Sequence, residues 1–235
     1  MRIVVNHLTR MQRGFMCVAG LEPKTGKHVR PVIRGRLTVD FLMRRQGPFE
    51  MAHEVDIGAV EYAGKAPEIE DYSFDYRHAL SVHALKPGDF WKLLQQASQA
   101  RLSDIFGTEL SAPGGACSLP DGHGKASLGC IVPVGTPALF LQSRPYRADH
   151  VRMHFSDGVL QLNAAVTDIR LFGDDHVTPD LAVIKQVHER MQAGTGVILS
   201  IGLTRPYAPS PDVTPQHWLQ VNNIHLEDNP AWPLG

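Results

Sequence analysis

The segment FMCVAGLEPKTGKHVRPVI, residues 15–33, decides the fold class. Phe15–Leu21 is rich in apolar residues that suit a β-strand, and His28–Ile33 has the same character. Between them, residues 22–27 contain a proline that presets φ and a glycine that can adopt a positive φ, as a tight turn requires. Two β-type runs joined by such a turn predict a β-hairpin.

Most of the remaining chain also has the pattern of β-structure, interrupted by two helices. Val151–Phe155 and Val159–Val166 alternate apolar and polar residues around an Asp-Gly dipeptide, which is a strong hairpin signal. Apolar residues at helical spacing predict helices over Pro87–Phe106 and Pro179–Ala193. Because strands do not alternate regularly with helices, a parallel α/β fold is disfavoured. The sequence therefore predicts a mainly β protein with a few helices.

A loop rich in glycine and proline, residues 111–125, predicts the division of the chain into two domains. We expect an N-terminal OB-like domain with a basic face at residues 1–110 and a C-terminal OB-like domain at residues 126–235. Each half has enough short strands for a small five-stranded barrel and contains one of the predicted helices. The expected architecture is two small OB-like β-barrels in tandem.

Charge is distributed unevenly along the chain. The net charge is −1, yet residues 1–50 carry ten basic and three acidic side chains. Most of these cations are arginines, whose forked guanidinium suits phosphate or carboxylate groups. One interpretation is a single cationic face on a mildly acidic body. The alternative is that these cations pair with the acidic segment at residues 51–110 in the folded protein.

Several classes of protein are disfavoured by what the sequence lacks. No apolar run approaches the roughly 20 residues that span a bilayer, and no signal peptide is recognisable, so we expect no membrane association. Three widely spaced cysteines favour a reducing, cytoplasmic compartment. Phosphate-binding glycine loops and nucleophile motifs are absent, so we expect no cofactor and no catalytic residue.

Metal-binding motifs are also weak, so the sequence predicts no metal site. His150 and His154 would lie about 13 Å apart on a strand, and none of the twelve histidines is near a cysteine pair. Scattered acidic residues, Glu68, Glu70 and Asp71 among them, could build a nuclease site but lack a persuasive lysine partner. A non-enzymatic protein is therefore favoured, with a hydrolase or nuclease left as an alternative.

Six short motifs occur in order along the chain: Arg2–Val5, Cys17–Gly20, Val29–Val32, Val166–Asp168, Leu199–Pro206 and His217–Ile224. Together they resemble the dual OB-domain family of bacterial proteins, over nearly the whole chain. The resemblance implies two OB folds in one chain, and a nucleic-acid role is inferred from that fold alone. Where the family tends to have an aromatic residue ahead of the Arg-Pro pair, this chain has His28.

Cations and an aromatic residue of the N-terminal segment form the predicted nucleic-acid site, because OB folds bind strands with cations and stacking aromatics. We expect His28 and Arg30 to face solvent or a groove and Val29 to be buried. The site comprises Arg10, Arg13, Phe15, Lys24, Lys27, His28, Arg30, Arg34 and Arg36. The other candidate stacking residues are Phe41, Phe49, Tyr146, Phe155 and Tyr207.

A possible second polar site lies in the C-terminal half. Arg152 and His154 share the polar face of the second predicted hairpin. Asp168 and Arg205 each follow a predicted strand, where they could form an ion pair or jointly frame a polar pocket.

These observations favour a cytoplasmic, non-enzymatic protein that binds nucleic acid through its basic N-terminal face. Single-stranded DNA or RNA is favoured over a duplex, since OB folds commonly bind single strands. The alternative function is a protein-interaction adaptor that acts beside an enzyme partner.

Overall fold

The computed structural model describes the chain except residues 113, 114, 145, 146, 209, 211, 213 and 233–235, and only the backbone of residues 13, 144, 147 and 148. The described residues have a mostly β fold with two curled sheets, one of which is a half-barrel. The mainly β fold class is thus confirmed. Among the described residues, no helix is long and apolar enough to cross a membrane.

The first sheet is built from the N-terminal part of the chain, in the order β6-β7-β3-β2-β1-β5-β8, with β4 beside β2. The predicted hairpin at residues 15–33 is confirmed, because Gly20 pairs with Val29 across antiparallel strands. Its turn is closed by the amide of Glu22, which donates to the carbonyl of Lys27 at 2.9 Å. The strands are β1 (Arg2–Arg10), β2 (Phe15–Leu21), β3 (His28–Val32), β4 (Leu37–Thr38), β5 (His53–Asp56), β6 (Val60–Tyr62), β7 (Asp71–Phe74) and β8 (Leu80–Ala84).

The second sheet is built from the rest of the chain. Its strands are β9 (Ser98–Gln99), β10 (Ser118–Pro120), β11 (Leu128–Ile131), β12 (Ala138–Arg144), β13 (Arg147–Ser156), β14 (Gln161–Val166), β15 (Val197–Leu203) and β16 (Gln216–Leu226). They follow the order β12-β13-β14-β16-β15-β11-β9, with β10 beside β16. The predicted hairpin around Asp157-Gly158 is confirmed, with Met153 opposite Ala164.

The helices are α1 (Pro87–Ala97), α2 (Leu102–Phe106) and α3 (Leu181–Gln192). The single helix predicted over Pro87–Phe106 is wrong, because the chain leaves the helix at Ser98. There β9 pairs with β11, and Asp157 accepts a hydrogen bond from the amide of Leu102 at the start of α2. Over residues 98–101, long-range strand pairing outweighs the local propensity to form a helix.

The boundary predicted at residues 111–125 stays a prediction. β9 and α2 lie ahead of that loop, yet β9 belongs to the second sheet and α2 packs in the core beneath it. The core of the first sheet in turn includes Cys130, Ile169 and Ile198 from the second half. The two halves therefore share an apolar contact surface.

Candidate functional site

Strand β1 runs along the junction between the two halves. Its residues from Ile3 to Thr9 are all buried, because one face packs on its own sheet and the other faces the second half. An irregularity in its pairing with β2 falls between Val5 and His7. Such a bulge redirects side chains, and both Asn6 and His7 are 1% exposed or less. The junction therefore contains polar side chains deep inside the protein.

We call the buried polar group at this junction the junction cluster. It combines side chains from β1, β3, β11, β15 and β16 that lie far apart in the sequence. Its members are Asn6, His7, His28, Cys130, Ser200, Asn222 and His225.

Asn6 lies at the centre of the junction cluster. Its amide nitrogen lies 3.2 Å from the Ser200 hydroxyl, 3.4 Å from the Cys130 sulfur and 3.3 Å from Nε2 of His28. The sulfur of Cys130 is 3.7 Å from the same His28 nitrogen. His7 stands edge-on to His28, with the ring centroids 5.2 Å apart. Three groups able to bind a proton or a metal ion thus meet here, because one ligand atom each of His7, His28 and Cys130 lies within 4.8 Å of the others.

His225 fixes the direction of the hydrogen bonds on one side of the cluster. Its Nδ1 is 3.0 Å from the carbonyl of Pro230, which can only accept, so Nδ1 carries the proton. Nε2 is then an acceptor, and the Ser200 hydroxyl donates to it at 2.9 Å. The oxygen of Ser200 therefore presents its lone pairs to Asn6 and to the thiol of Cys130, 3.6 Å away.

Burial keeps the junction cluster uncharged. It lowers the pKa of His28 to about 4. Burial, and to a lesser extent the charge of Arg170, lowers the pKa of His225 to about 4. Burial and the neighbouring His28 hold the pKa of His7 well below its usual value, and burial raises the pKa of the Cys130 thiol to about 11. At neutral pH the cluster is a set of neutral donors and acceptors.

A second polar group at the junction surrounds Arg30. Asp71 accepts from Nε of Arg30 at 2.5 Å and from Arg205 at 2.6 Å, and Glu68 lies 3.0 Å from Arg205. Glu70 accepts from the amide and hydroxyl of Ser127, both at 2.8 Å, and burial raises its pKa. These ion pairs join the first sheet to the segment after β15.

The expected exposure of Arg30 is wrong. Arg30 is 5% exposed and ion-paired, because β7 pairs alongside β3 and brings Asp71 opposite Arg30. Val29 is buried, as expected. His28 is half-buried and belongs to the junction cluster.

We expect the change Arg30→Gln to lower the free energy of unfolding by about 2 kcal/mol, since it removes a buried ion pair while Asp71 keeps Arg205 as a partner. Chemical denaturation measures this. Arg34→Gln, at an exposed position on the same segment, is the matched control and should leave stability unchanged. Equal losses in the two variants would contradict a structural role for Arg30.

The expected pairing of Asp168 with Arg205 is also wrong. Asp168 is fully buried and binds Arg170, two residues along the chain, at 2.7 Å. Arg205 binds the acids Glu68 and Asp71 instead.

The remaining predicted N-terminal side chains that the structure describes do not gather in one groove. Arg10 is half-buried, donates to the carbonyl of His176 at 2.9 Å and lies over the ring of Phe172. The side chain of Arg13 is outside the described residues. The exposed cations lie at opposite ends of β3, with Arg36 positioned 5.4 Å from the half-buried Phe15 ring. They are Lys24 and Lys27 at one end and Arg34 and Arg36 at the other.

A groove of about 340 Å³ lies on the second sheet, with His150, Arg152, Tyr207 and Trp218 in its lining. Arg152 donates to the side chain of Asn163 at 2.9 Å. Tyr207 is 59% exposed, and its carbonyl accepts from the indole of Trp218 at 3.1 Å. The groove thus combines cationic and aromatic side chains on one sheet face.

The predicted polar face of the second hairpin is confirmed, because Arg152 lines the groove and the exposed His154 stacks on Phe140, with ring centroids 4.7 Å apart. Sequence reasoning missed Trp218, although alternation with the buried Leu219 would have placed it on this face. Of the other candidate stacking residues, Phe49 and Phe155 are core. Phe41 is half-buried beside Tyr76, and Tyr146 lies outside the described residues.

The chain therefore offers two distinct chemical environments. The junction cluster is buried and neutral, with imidazole, thiol, hydroxyl and amide groups that can bind a proton or a metal ion. The groove is open and combines flat aromatic rings with a guanidinium group. No protein-family model matches the chain, and no curated protein matches it.

Proposed function

We propose that the protein binds single-stranded nucleic acid, DNA or RNA, along the groove of the second sheet, and that the two curled sheets are OB-like barrels. The observation that carries the proposal is the placement of Tyr207, Trp218 and Arg152 on one sheet face. OB folds use such a face, with aromatic side chains that stack on bases and cations that contact the backbone. The ordered motifs that resemble the dual OB-domain family support the same fold.

Each side chain of the groove has a role under this proposal. Tyr207 offers an exposed ring for a base, and the hydrogen bond to its carbonyl fixes the indole of Trp218 beside it. Asn163 orients the guanidinium of Arg152, which then contacts a phosphate. The exposed cations at the ends of β3 act at longer range, by attracting the polyanion to the protein.

We expect Tyr207→Ala to weaken binding of an oligonucleotide of about 15 nucleotides by about 5- to 150-fold, the effect of losing one stacked base. Fluorescence anisotropy with labelled oligothymidine and oligouridine measures it. The matched control is Tyr62→Ala, because Tyr62 is 60% exposed and lies on β6 of the first sheet. An equal loss in both variants would rule out the groove as the stacking surface.

The salt dependence of the wild-type protein tests the same interface. Each phosphate contact contributes about −0.7 to the slope of log affinity against log salt on single strands. Five contacts from the N-terminal cations would give about −3.5, whereas one or two contacts in the groove give a slope near −1. A slope of about −3.5, together with unchanged binding by Tyr207→Ala, would indicate that nucleic acid binds the N-terminal face instead of the groove.

An adaptor function is the second candidate, and edge strand β8 favours it. Within the described part of the chain, β8 pairs only with β5, and its apolar Leu80 and Val82 are 67% and 44% exposed. An exposed edge strand can accept an extended peptide as a further strand. This function predicts no oligonucleotide binding above the non-specific level at physiological salt, so the titrations above separate the two candidates.

A further inference from the structure

We propose that His7, His28 and Cys130 of the junction cluster bind one Zn²⁺ ion. The imidazole and thiolate groups of these residues are the ligands that zinc prefers. They come from β1, β3 and β11, and one ligand atom of each lies within 4.8 Å of the others. The ion would therefore connect strands of both sheets.

The separation of the Cys130 and His28 ligand atoms is close to one edge of a zinc tetrahedron. Bond lengths of about 2.0–2.1 Å to nitrogen and 2.3 Å to sulfur place tetrahedral ligands about 3.3–3.6 Å apart. The Cys130 sulfur is 3.7 Å from Nε2 of His28, and the amide nitrogen of Asn6 is 3.4 Å and 3.3 Å from these two atoms. Two of the proposed ligands, Cys130 and His28, are thus close to their required separation, and the amide group of Asn6 lies beside both of them.

His7 supplies an independent observation. It is 1% exposed, and its Nε2 makes no hydrogen bond among the described residues, nor do Oδ1 of Asn222 and Oδ1 of Asn6. The other ring nitrogen of His7 lies 3.1 Å from the amide nitrogen of Asn222.

Rotating the Asn222 amide by half a turn exchanges its nitrogen and oxygen, an assignment that the hydrogen-bond network decides. The oxygen then accepts from a protonated Nδ1 of His7, and the lone pair of Nε2 becomes available as a ligand. Zinc binding thus gives Nε2 of His7 a partner, and the rotated amide of Asn222 holds the ring in place for it.

Zinc binding also releases the thiol proton of Cys130. Binding replaces the thiol proton of Cys130 by the ion, and that proton leaves to solvent past His28, which is half-buried. The Ser200 hydroxyl, 3.6 Å from the sulfur, can turn its proton from His225 toward the thiolate.

The test is a titration of the metal-free, full-length protein with Co²⁺, which substitutes for Zn²⁺ and gives a thiolate-to-metal charge-transfer band. We expect the band to saturate at one equivalent and to disappear when Zn²⁺ displaces the cobalt. Cys130→Ser should abolish it. Cys117→Ser should retain it, since Cys117 is an equally buried free cysteine outside the cluster. His28→Gln should weaken cobalt affinity by at least about 10-fold.

Three outcomes would overturn the proposal. They are no charge-transfer band in the wild-type protein, a band that persists in Cys130→Ser, and equal cobalt affinity in the wild-type protein and His28→Gln. The last comparison decides the matter even if Cys130→Ser does not fold, because His28 is half-buried whereas Cys130 is fully buried in the core. A Zn²⁺-dependent rise in the melting temperature of the wild-type protein, absent in His28→Gln, supports the same conclusion.

Discussion

Replacing Arg170 by leucine is expected to lower the free energy of unfolding by about 3–5 kcal/mol, a large share of the stability of a domain of this size. Arg170 and Asp168 are both fully buried, and the guanidinium donates two hydrogen bonds to the carboxylate, at 2.9 and 2.7 Å. Without the guanidinium, the Asp168 carboxylate stays buried with no opposite charge beside it.

The loss extends beyond the ion pair. Arg170 also donates to the carbonyls of Ile224 and Trp232 and lies 3.9 Å from the centre of the Trp232 ring. It therefore holds the end of β16 and the C-terminal segment against the turn that follows β14. Arg170→Leu should loosen these segments as well as destabilise the protein.

Chemical denaturation of two further variants isolates the buried charge. Arg190→Leu removes an arginine whose partner, Asp228, is exposed, so it should cost about 1 kcal/mol or less. Asp168→Asn combined with Arg170→Leu should cost less than Arg170→Leu alone, because the unpaired charge is also gone. A double variant that is less stable than Arg170→Leu would refute this explanation.

Metal-free protein is expected to lose about 5 kcal/mol of stability as the pH falls from 6.5 to 4. The pKa of His225 and that of His28 are each lowered by burial to about 4 from 6.5. The unfolded chain therefore takes up protons in this range while the native protein does not, so stability falls with falling pH. The fully buried His225 contributes about 3 kcal/mol and the half-buried His28 about 2 kcal/mol.

The buried side chains of His7 and Glu70 also affect how stability depends on pH. The lowered pKa of His7 acts in the same direction. The raised pKa of Glu70 acts in the opposite direction, because the native protein then binds a proton more readily than the unfolded chain.

Denaturation in the presence of a chelator, at intervals from above pH 6.5 down to pH 4, measures the effect. His225→Gln should flatten the dependence, since glutamine can still donate to Pro230 and accept from Ser200 without titrating. His123→Gln, at an exposed position, should not change it. A stability that is constant or rises toward pH 4 would contradict the proposed neutrality of the junction cluster.

Local features of the fold follow from the sequence. The hairpin at residues 15–33, the Asp157-Gly158 hairpin and α3 each depend on neighbouring residues, whose turn and period signals are visible in the chain. The break between α1 and α2 depends on β11, some thirty residues away, so no local pattern could reveal it.

The candidate sites depend almost entirely on long-range contacts. The neighbours Asn6 and His7 are both buried because both faces of β1 are covered and its pairing shifts between Val5 and His7, which a strict alternation of faces cannot predict. Cys130 and His28 meet across a separation of 102 residues, and Asp71 reaches Arg30 through a parallel strand pair. For the groove, the polar face of one hairpin was predictable, but its meeting with Tyr207 was not.

The contact between Leu8 and Asn223 has a consequence for the order of folding. The amide of Leu8 donates to the Asn223 side chain at 2.8 Å, and its carbonyl accepts from that side chain at 3.2 Å, across 215 residues. During synthesis the first strand leaves the ribosome long before its partner exists. Contacts this distant in sequence slow folding, so we expect the junction to close last, after β16 has been synthesised.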